Sequence, residues 1–173
     1  MYEGRTSLRV GQETLGDRCE VIKISQPIKS QWAKDKNLNL NELLSDSEYK
    51  EQYRLDMINW SDQMRSHDYG YFCRIACQNA RKAPIWIVSD VRRKTDIRWF
   101  KETYIDLIRT IRISADDDTR IFRGYVFRAG VDDVMSECDL DDYTEWDLAI
   151  SNGQGSPLLE EQLGSILGLL AHL

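Results

Sequence analysis

Pro84-Ile85-Trp86-Ile87-Val88-Ser89-Asp90-Val91-Arg92-Arg93 (84–93) holds four consecutive apolar residues between a proline and a Ser-Asp pair. β-Branched and aromatic residues bounded by turn formers read as a strand. The apolar run does not alternate with polar residues, so burial on both faces is expected, as in the middle of a parallel sheet. Three other short segments have the same character: Cys19 to Ile24 (CEVIKI), Thr110 to Ser114 (TIRIS) and Asp147 to Ser151 (DLAIS). Helical stretches lie between them. From Ser47 to His67, Tyr49, Tyr53, Met57, Trp60 and Met64 recur at spacings of three and four, which predicts one amphipathic helix. Tyr71, Ile75 and Ala76 carry another. Thr95-Asp96 stands as an N-cap pair ahead of Ile97, Phe100 and Tyr104, and Leu158 to Leu170 forms a terminal helix with Glu160 and Glu161 in its first turn. Strand alternating with helix predicts an α/β layered fold with a largely parallel sheet, in one domain over 1–173.

The bulk properties are those of an ordinary globular chain. It has 173 residues, 42% of them hydrophobic, with 10 Gly and 3 Pro, which excludes collagenous and disordered classes. Lys and Arg number 23 against 29 Asp and Glu, a formal charge of −6, so a general nucleic-acid surface is disfavoured. No apolar stretch is long enough to span a membrane, and Met1-Tyr2-Glu3-Gly4-Arg5 lacks the apolar core of a signal peptide, so the expectation is an intracellular protein. Cys19, Cys73, Cys77 and Cys138 make no Cys-x-x-Cys pair and only His67 and His172 accompany them, which points to reduced structural thiols and no metal site. Cys73 and Cys77, four apart, share a helix face and are expected to pack.

In parallel α/β sheets, ligands sit beyond the carboxyl ends of the strands. Here those ends are Ser25 to Lys29 (SQPIK), Ser89 to Lys94 (SDVRRK), Asp116 to Arg123 and Asn152-Gly153. Lys29, Arg92, Arg93, Arg120 and Arg123 would collect on one edge of an acidic molecule, where forked guanidinium groups suit phosphate or carboxylate ligands. Asp90 reads as a group that holds Mg²⁺ or orients a phosphate acceptor and, equally, as a cap of the turn that follows. Asp116-Asp117-Asp118 and the acid-rich stretch from Asp132 to Asp147 lack calcium-loop spacing and read as solvated faces.

Several segments together resemble the animal-type phosphomevalonate kinase family. They are Ser25 to Lys29, Tyr49 to Trp60 (YKEQYRLDMINW), Gly70 to Arg74 (GYFCR), Pro84 to Phe100 (PIWIVSDVRRKTDIRWF), Arg123 to Phe127 (RGYVF), Gly130 to Cys138 (GVDDVMSEC) and Leu159 to Leu163 (LEEQL), in the family's order. The resemblance implies a nucleoside monophosphate kinase-like P-loop fold, with a parallel sheet, helices on both faces, a helical substrate region and a basic lid. It also implies phosphoryl transfer from ATP, with Mg²⁺, to 5-phosphomevalonate in isoprenoid and sterol synthesis. Carried over by position, Arg92, Arg93 and Arg123 would be catalytic. Lys29, Lys50, Arg54, Arg65, Arg74 and Asn152 would bind substrate, and Arg120, Arg123 and Gln162 the nucleotide; no metal ligand is assigned. Gly153 stands where relatives commonly have His.

The family's phosphate loop, a glycine followed by basic residues and then Gly-Lys, lies between its first strand and first helix. No such motif occurs in these 173 residues: Gly4, Gly11 and Gly16 are not followed by Lys, and Leu8 to Gly16 looks like the end of the helix after that loop. The chain is therefore expected to lack the first, central strand, leaving CEVIKI paired with PIWIVS and TIRIS with DLAIS, while Met1 to Arg9 is too polar to replace it. Two alternatives to a working phosphomevalonate kinase stay open: an inactive family member acting as a binding or regulatory protein, and a nucleoside monophosphate kinase. A cytosolic monomer is expected, and Ala171-His172-Leu173 has the form of a peroxisomal terminal tripeptide.

Overall fold

The computed structural model describes residues 14–45, 48–130, 132–153, 155–157 and 159–170. The segments Met1 to Arg9 and Ala171-His172-Leu173, and most of Leu8 to Gly16, lie outside them. Two compact units divide the chain: Asp17–Trp99, and Phe100–Leu173 together with Met1–Gly16. Each of the four expected strands forms: β1 (Cys19–Ile22), β2 (Ile85–Val88), β3 (Ile111–Ser114) and β4 (Leu148–Ser151). They pair in parallel as two two-stranded sheets, β1 with β2 in the first unit and β3 with β4 in the second. The fold is α/β, with short parallel strand pairs and helices.

In the first unit, Cys19 pairs with Ile85 and Ile22 with Val88, and the Ser89 N–H continues the ladder to the Ile22 carbonyl at 3.2 Å. Ile85 to Val88 are all half-buried rather than fully buried. The uniform apolar run predicts a strand enclosed on both sides, but among the described residues β2 has β1 as its one strand neighbour. Ser25 to Lys29, at the carboxyl end of the first strand, is the opening of helix α1 (Ser25–Lys36). Pro27 falls in its first turn, where the missing N–H costs no helical bond, and Asn37 ends it in the left-handed conformation at φ 53°. Short helix α2 (Leu40–Leu44) follows, its start capped by the Asn39 side chain, which accepts from the Asn41 N–H at 3.0 Å.

The stripe from Ser47 to His67 does not make one helix. It breaks at Tyr53, whose φ of −101° and ψ of 2° separate α3 (Glu48–Gln52) from α4 (Arg54–His67). The Tyr53 carbonyl accepts the first bond of α4, from Met57, and its ring meets Tyr49 edge-on at 5.0 Å, so the apolar stripe crosses the break intact. Periodicity reports side-chain direction, which a single non-helical residue need not disturb. That stripe packs on the core formed by Trp32, Ala33, Leu43 and Met57, with Tyr49, Tyr53 and Trp60 at its margin. Helix α5 (Tyr71–Gln78) buries Phe72, Cys73, Ala76 and Cys77, so the two cysteines four apart do pack. Ahead of it, a Cβ on Gly70 would overlap the indole of Trp99, which only glycine lets come so close.

Helix α6 (Lys94–Tyr104) starts before the Thr95-Asp96 pair, so Asp96 is not an N-cap but a buried first-turn residue. The Arg93 carbonyl accepts the first bonds, from Asp96 and Ile97. In the second unit, Ile111 pairs with Leu148 and Ser114 with Ser151. Asp116 caps α7 (Asp117–Phe122), and α8 (Met135–Cys138) and α9 (Leu159–Leu170) complete the elements used below. Asp147, expected on a solvated face, accepts from the Thr110 N–H at 2.6 Å and hydroxyl at 2.7 Å, clipping the starts of β3 and β4 together. Among the described residues no helix is long and apolar enough to cross a membrane.

Candidate acceptor site

Helix α4 and the segment from the end of β2 into α6 meet through two ion pairs, Asp62 with Arg93 and Arg65 with Asp96. Asp62 and Arg65 stand three apart on α4, a spacing that puts both on one face. Arg93, only 7% exposed, donates from Nη2 to both oxygens of Asp62, at 2.7 and 2.9 Å. Three residues later, Asp96 is 1% exposed and lies 3.5 Å from Nη2 of Arg65. The Arg65 guanidinium stacks over Phe72, 5.1 Å from the ring centre, and its Nε is buried with no hydrogen-bond partner. The Cys73 thiol donates to Asp96 Oδ1 at 3.5 Å.

Burial pushes the Asp96 carboxyl above its ordinary range, against the opposing pull of Arg65, the Cys73 thiol and a backbone hydrogen bond from Arg92. Burial likewise raises the Cys73 thiol, and the Asp96 charge raises it further. That thiol is neutral and inert, a packing group as expected.

Asp90 has a defined structural part. Its two oxygens accept from the backbone N–H groups of Ile24 and Ser25, at 2.7 and 2.9 Å, so it caps the start of α1 across the sheet rather than the turn that follows it. Both Asp90 oxygens are thus engaged by main-chain N–H groups, and among the described residues no three His, Cys, Asp or Glu side chains gather where they could hold a metal ion.

The remaining expected substrate residues are spread along the helices of this unit. Lys29 lies in α1 and Lys50 in α3, both half-buried. Arg54 opens α4 and lies 3.5 Å from Glu51. Arg74, on α5, pairs with Asp68 at the surface, where solvent weakens the pair. Arg92 is half-buried beside Arg93.

The second unit holds the other expected contacts. Arg120 stacks over Tyr125 at 4.0 Å and lies 3.3 Å from Asp117, and Arg123 is the exposed C-cap of α7. Asp116 accepts from the Thr119 N–H at 2.7 Å, a bond that holds its carboxyl below the ordinary range. The Asn152 N–H donates to the Ser114 carbonyl at 2.7 Å, which keeps it at the carboxyl end of β3. Gln162 is buried, and its amide donates to the carbonyls of Ser151 and Pro157 at 3.2 and 2.9 Å. A Cβ on Gly153 would stand 2.5 Å from Asp116 Oδ2. Of the five cations expected on one edge, Lys29, Arg92 and Arg93 belong to the first unit and Arg120 and Arg123 to the second.

Two site residues escape a reading of basic residues alone: Asp62 and Asp96. Their signal is present, since Asp62-x-x-Arg65 and Arg93-x-x-Asp96 have the same spacing with charges reversed. Nothing local says that the two motifs meet.

The parallel strand β2 of this α/β protein runs out into paired arginines, one of them held by Asp62 of a neighbouring helix. The phosphomevalonate kinase family model matches residues 7–106. A curated phosphomevalonate kinase of Drosophila melanogaster is 51% identical over 148 residues, covering 83% of this chain and 78% of that protein. The chain belongs to the phosphomevalonate kinase family.

Proposed function

We infer that this chain is a phosphomevalonate kinase. A terminal phosphate oxygen of 5-phosphomevalonate attacks the γ-phosphorus of ATP, the bond to the bridging oxygen breaks, and 5-diphosphomevalonate and ADP are formed. The observation that carries this reading is the 51% identity to the Drosophila enzyme, which extends over both units of the chain. Phosphoryl transfer needs little covalent help from protein; it needs alignment and cations around the non-bridging oxygens. In this reading Arg92 and Arg93 contact the acceptor at the end of β2, and Lys29, Lys50, Arg54, Arg65, Arg74 and Asn152 bind and orient it. Arg120 and Arg123 bring charge to the transferring phosphate, and Gln162 supports the nucleotide side. Mg²⁺ arrives as part of the substrate MgATP.

One observation favours a second reading. The 173 residues contain no Gly-Lys phosphate loop, the part that supplies backbone N–H groups and a lysine to the donor's β- and γ-phosphates. A polypeptide with the acceptor residues but without that loop would act as an inactive binding or regulatory family member, holding phosphomevalonate without turning it over. A coupled ADP-release assay on the 173-residue polypeptide, with 5-phosphomevalonate, AMP or UMP as acceptor, tests both. The expected result is release with phosphomevalonate alone, below the usual range of roughly 1 to 100 per second for kinases. Binding with no turnover would favour the second reading, and preference for AMP or UMP would overturn the first.

A further inference from the structure

Asp62 and Arg65 on α4, and Arg93 and Asp96 at the start of α6, form two ion pairs with the charges crossed. The pairs are not equivalent. Asp62 is 45% exposed, so its charge is shared with water, whereas Asp96 is fully enclosed. Around that one carboxylate meet the Arg65 guanidinium, the Cys73 thiol and the backbone N–H of Arg92. Enclosing a carboxylate strips it of hydration, a loss that a single ion-pair contact of 3.5 Å does little to offset. A neutral residue of similar shape would serve the core at least as well, so the distinct effect of the carboxyl group is geometric. It ties the main chain of the Arg92-Arg93 turn to the side chain of Arg65, two places where the acceptor is to be met. Arg65 is held on one side by Asp96 and against Phe72, while its Nε–H stays unmatched within the protein.

We propose that Asp96 is a positioning residue for phosphomevalonate, fixing the Arg65 guanidinium and the Arg92 main chain in the arrangement that the acceptor's anionic groups meet, without touching the acceptor itself. This rests on the reading of Arg65 as an acceptor-binding residue. The buried carboxylate acts through the arginine, and its removal leaves Arg65 charged but unaimed.

The test is a double-mutant cycle on the 173-residue chain, with calorimetric Kd values for 5-phosphomevalonate and melting temperatures measured in parallel. Arg65→Met is expected to weaken acceptor binding by about tenfold or more, the scale of a charged hydrogen bond. Asp96→Asn is expected to weaken it by about fivefold, and the double variant to bind within about twofold of Arg65→Met alone, because the two residues act as one unit. A purely structural role would lower the melting temperature without this coupling in Kd. Unchanged affinity in Asp96→Asn beside a weakened Arg65→Met, or additive losses in the double variant, overturns the proposal and leaves the site reading standing. Unchanged affinity in Arg65→Met overturns the acceptor reading of Arg65 and the proposal with it. Asp96→Glu and Arg65→Lys keep both charges and alter the geometry; they replace any neutral variant that does not fold and are read in the same way.

Discussion

Asp90 and Ser25 lie 65 residues apart in sequence, yet the Asp90 carboxylate and the Ser25 backbone N–H are 2.9 Å apart, and the other carboxylate oxygen takes the Ile24 N–H at 2.7 Å. One side chain at the end of β2 thus satisfies two of the unpaired N–H groups at the start of α1. It fixes the helix that carries Lys29 against the strand that leads to Arg92 and Arg93. The acidic charge also complements the positive end of the helix dipole.

Replacing Asp90 with Ala should therefore act on stability before function, lowering it by about 0.5 to 2 kcal/mol, as for the loss of a helix cap. Urea unfolding measures this. Full stability in Asp90→Ala would show that water or another group serves the two N–H groups equally well.

Arg92→Met and Arg93→Met should each weaken phosphomevalonate binding by about 1.5 to 3 kcal/mol, the range for hydrogen bonds to charged groups. Arg93→Lys should not restore it, because an ammonium cannot hold both Asp62 oxygens and an anion with the fixed fork of a guanidinium. Asp62 is partly solvated, so neither change to Arg93 strands a buried charge. Calorimetry on the folded variants decides the matter, and wild-type affinity in the Arg92→Met/Arg93→Met double variant would remove both from the acceptor site.

The strands and their pairing were legible because β-branched runs at Cys19, Ile85, Ile111 and Leu148 are short and sharply bounded. The break at Tyr53 was hidden because the apolar stripe runs through it undisturbed. The role of Asp90 stayed open in the sequence, since only the fold brings the Ile24 and Ser25 N–H groups to it. For the basic residues, charge and strand-end position suggest an anion site in the sequence alone. No such position marks their acidic partners, because Asp62 and Asp96 gain their roles from contacts across 31 residues of chain.

Two aspartates should respond to pH with opposite sign. At Asp147 partial burial raises the carboxyl, but the Thr110 N–H and hydroxyl outweigh it and depress the folded value. Its contribution is present above the unfolded value of about 3.9 and is lost as pH falls through the depressed folded value. At Asp96 burial raises the folded value, so its contribution is complete below about 3.9 and is lost as pH rises through that raised value. In melting curves from pH 7 to pH 2, the deficit of Asp147→Asn should shrink as pH falls below about 4. The deficit of Asp96→Asn should be largest in acid and shrink toward neutrality. Parallel pH profiles for the two variants would contradict this assignment.

The surroundings of Gly153 explain what the small residue permits. With no Cβ at 153, Asp116 Oδ2 approaches to where a Cβ would lie only 2.5 Å away, while Asp116 Oδ1 keeps its bond to the Thr119 N–H. That bond anchors the first turn of α7, the helix that carries Arg120 and ends at Arg123. A side chain at 153 must push the Asp116 carboxylate aside, and Asp116 is too short to move far while still capping. Gly153→His should therefore loosen α7, costing about 0.5 to 2 kcal/mol if the cap is lost. Amide hydrogen exchange over Asp117–Phe122 should quicken, with little change over α4. Asp116→Ala should produce the same local signature, and adding Gly153→His to it should bring no further loss. Unaltered exchange in Gly153→His would mean that Asp116 finds another rotamer from which it still caps the helix.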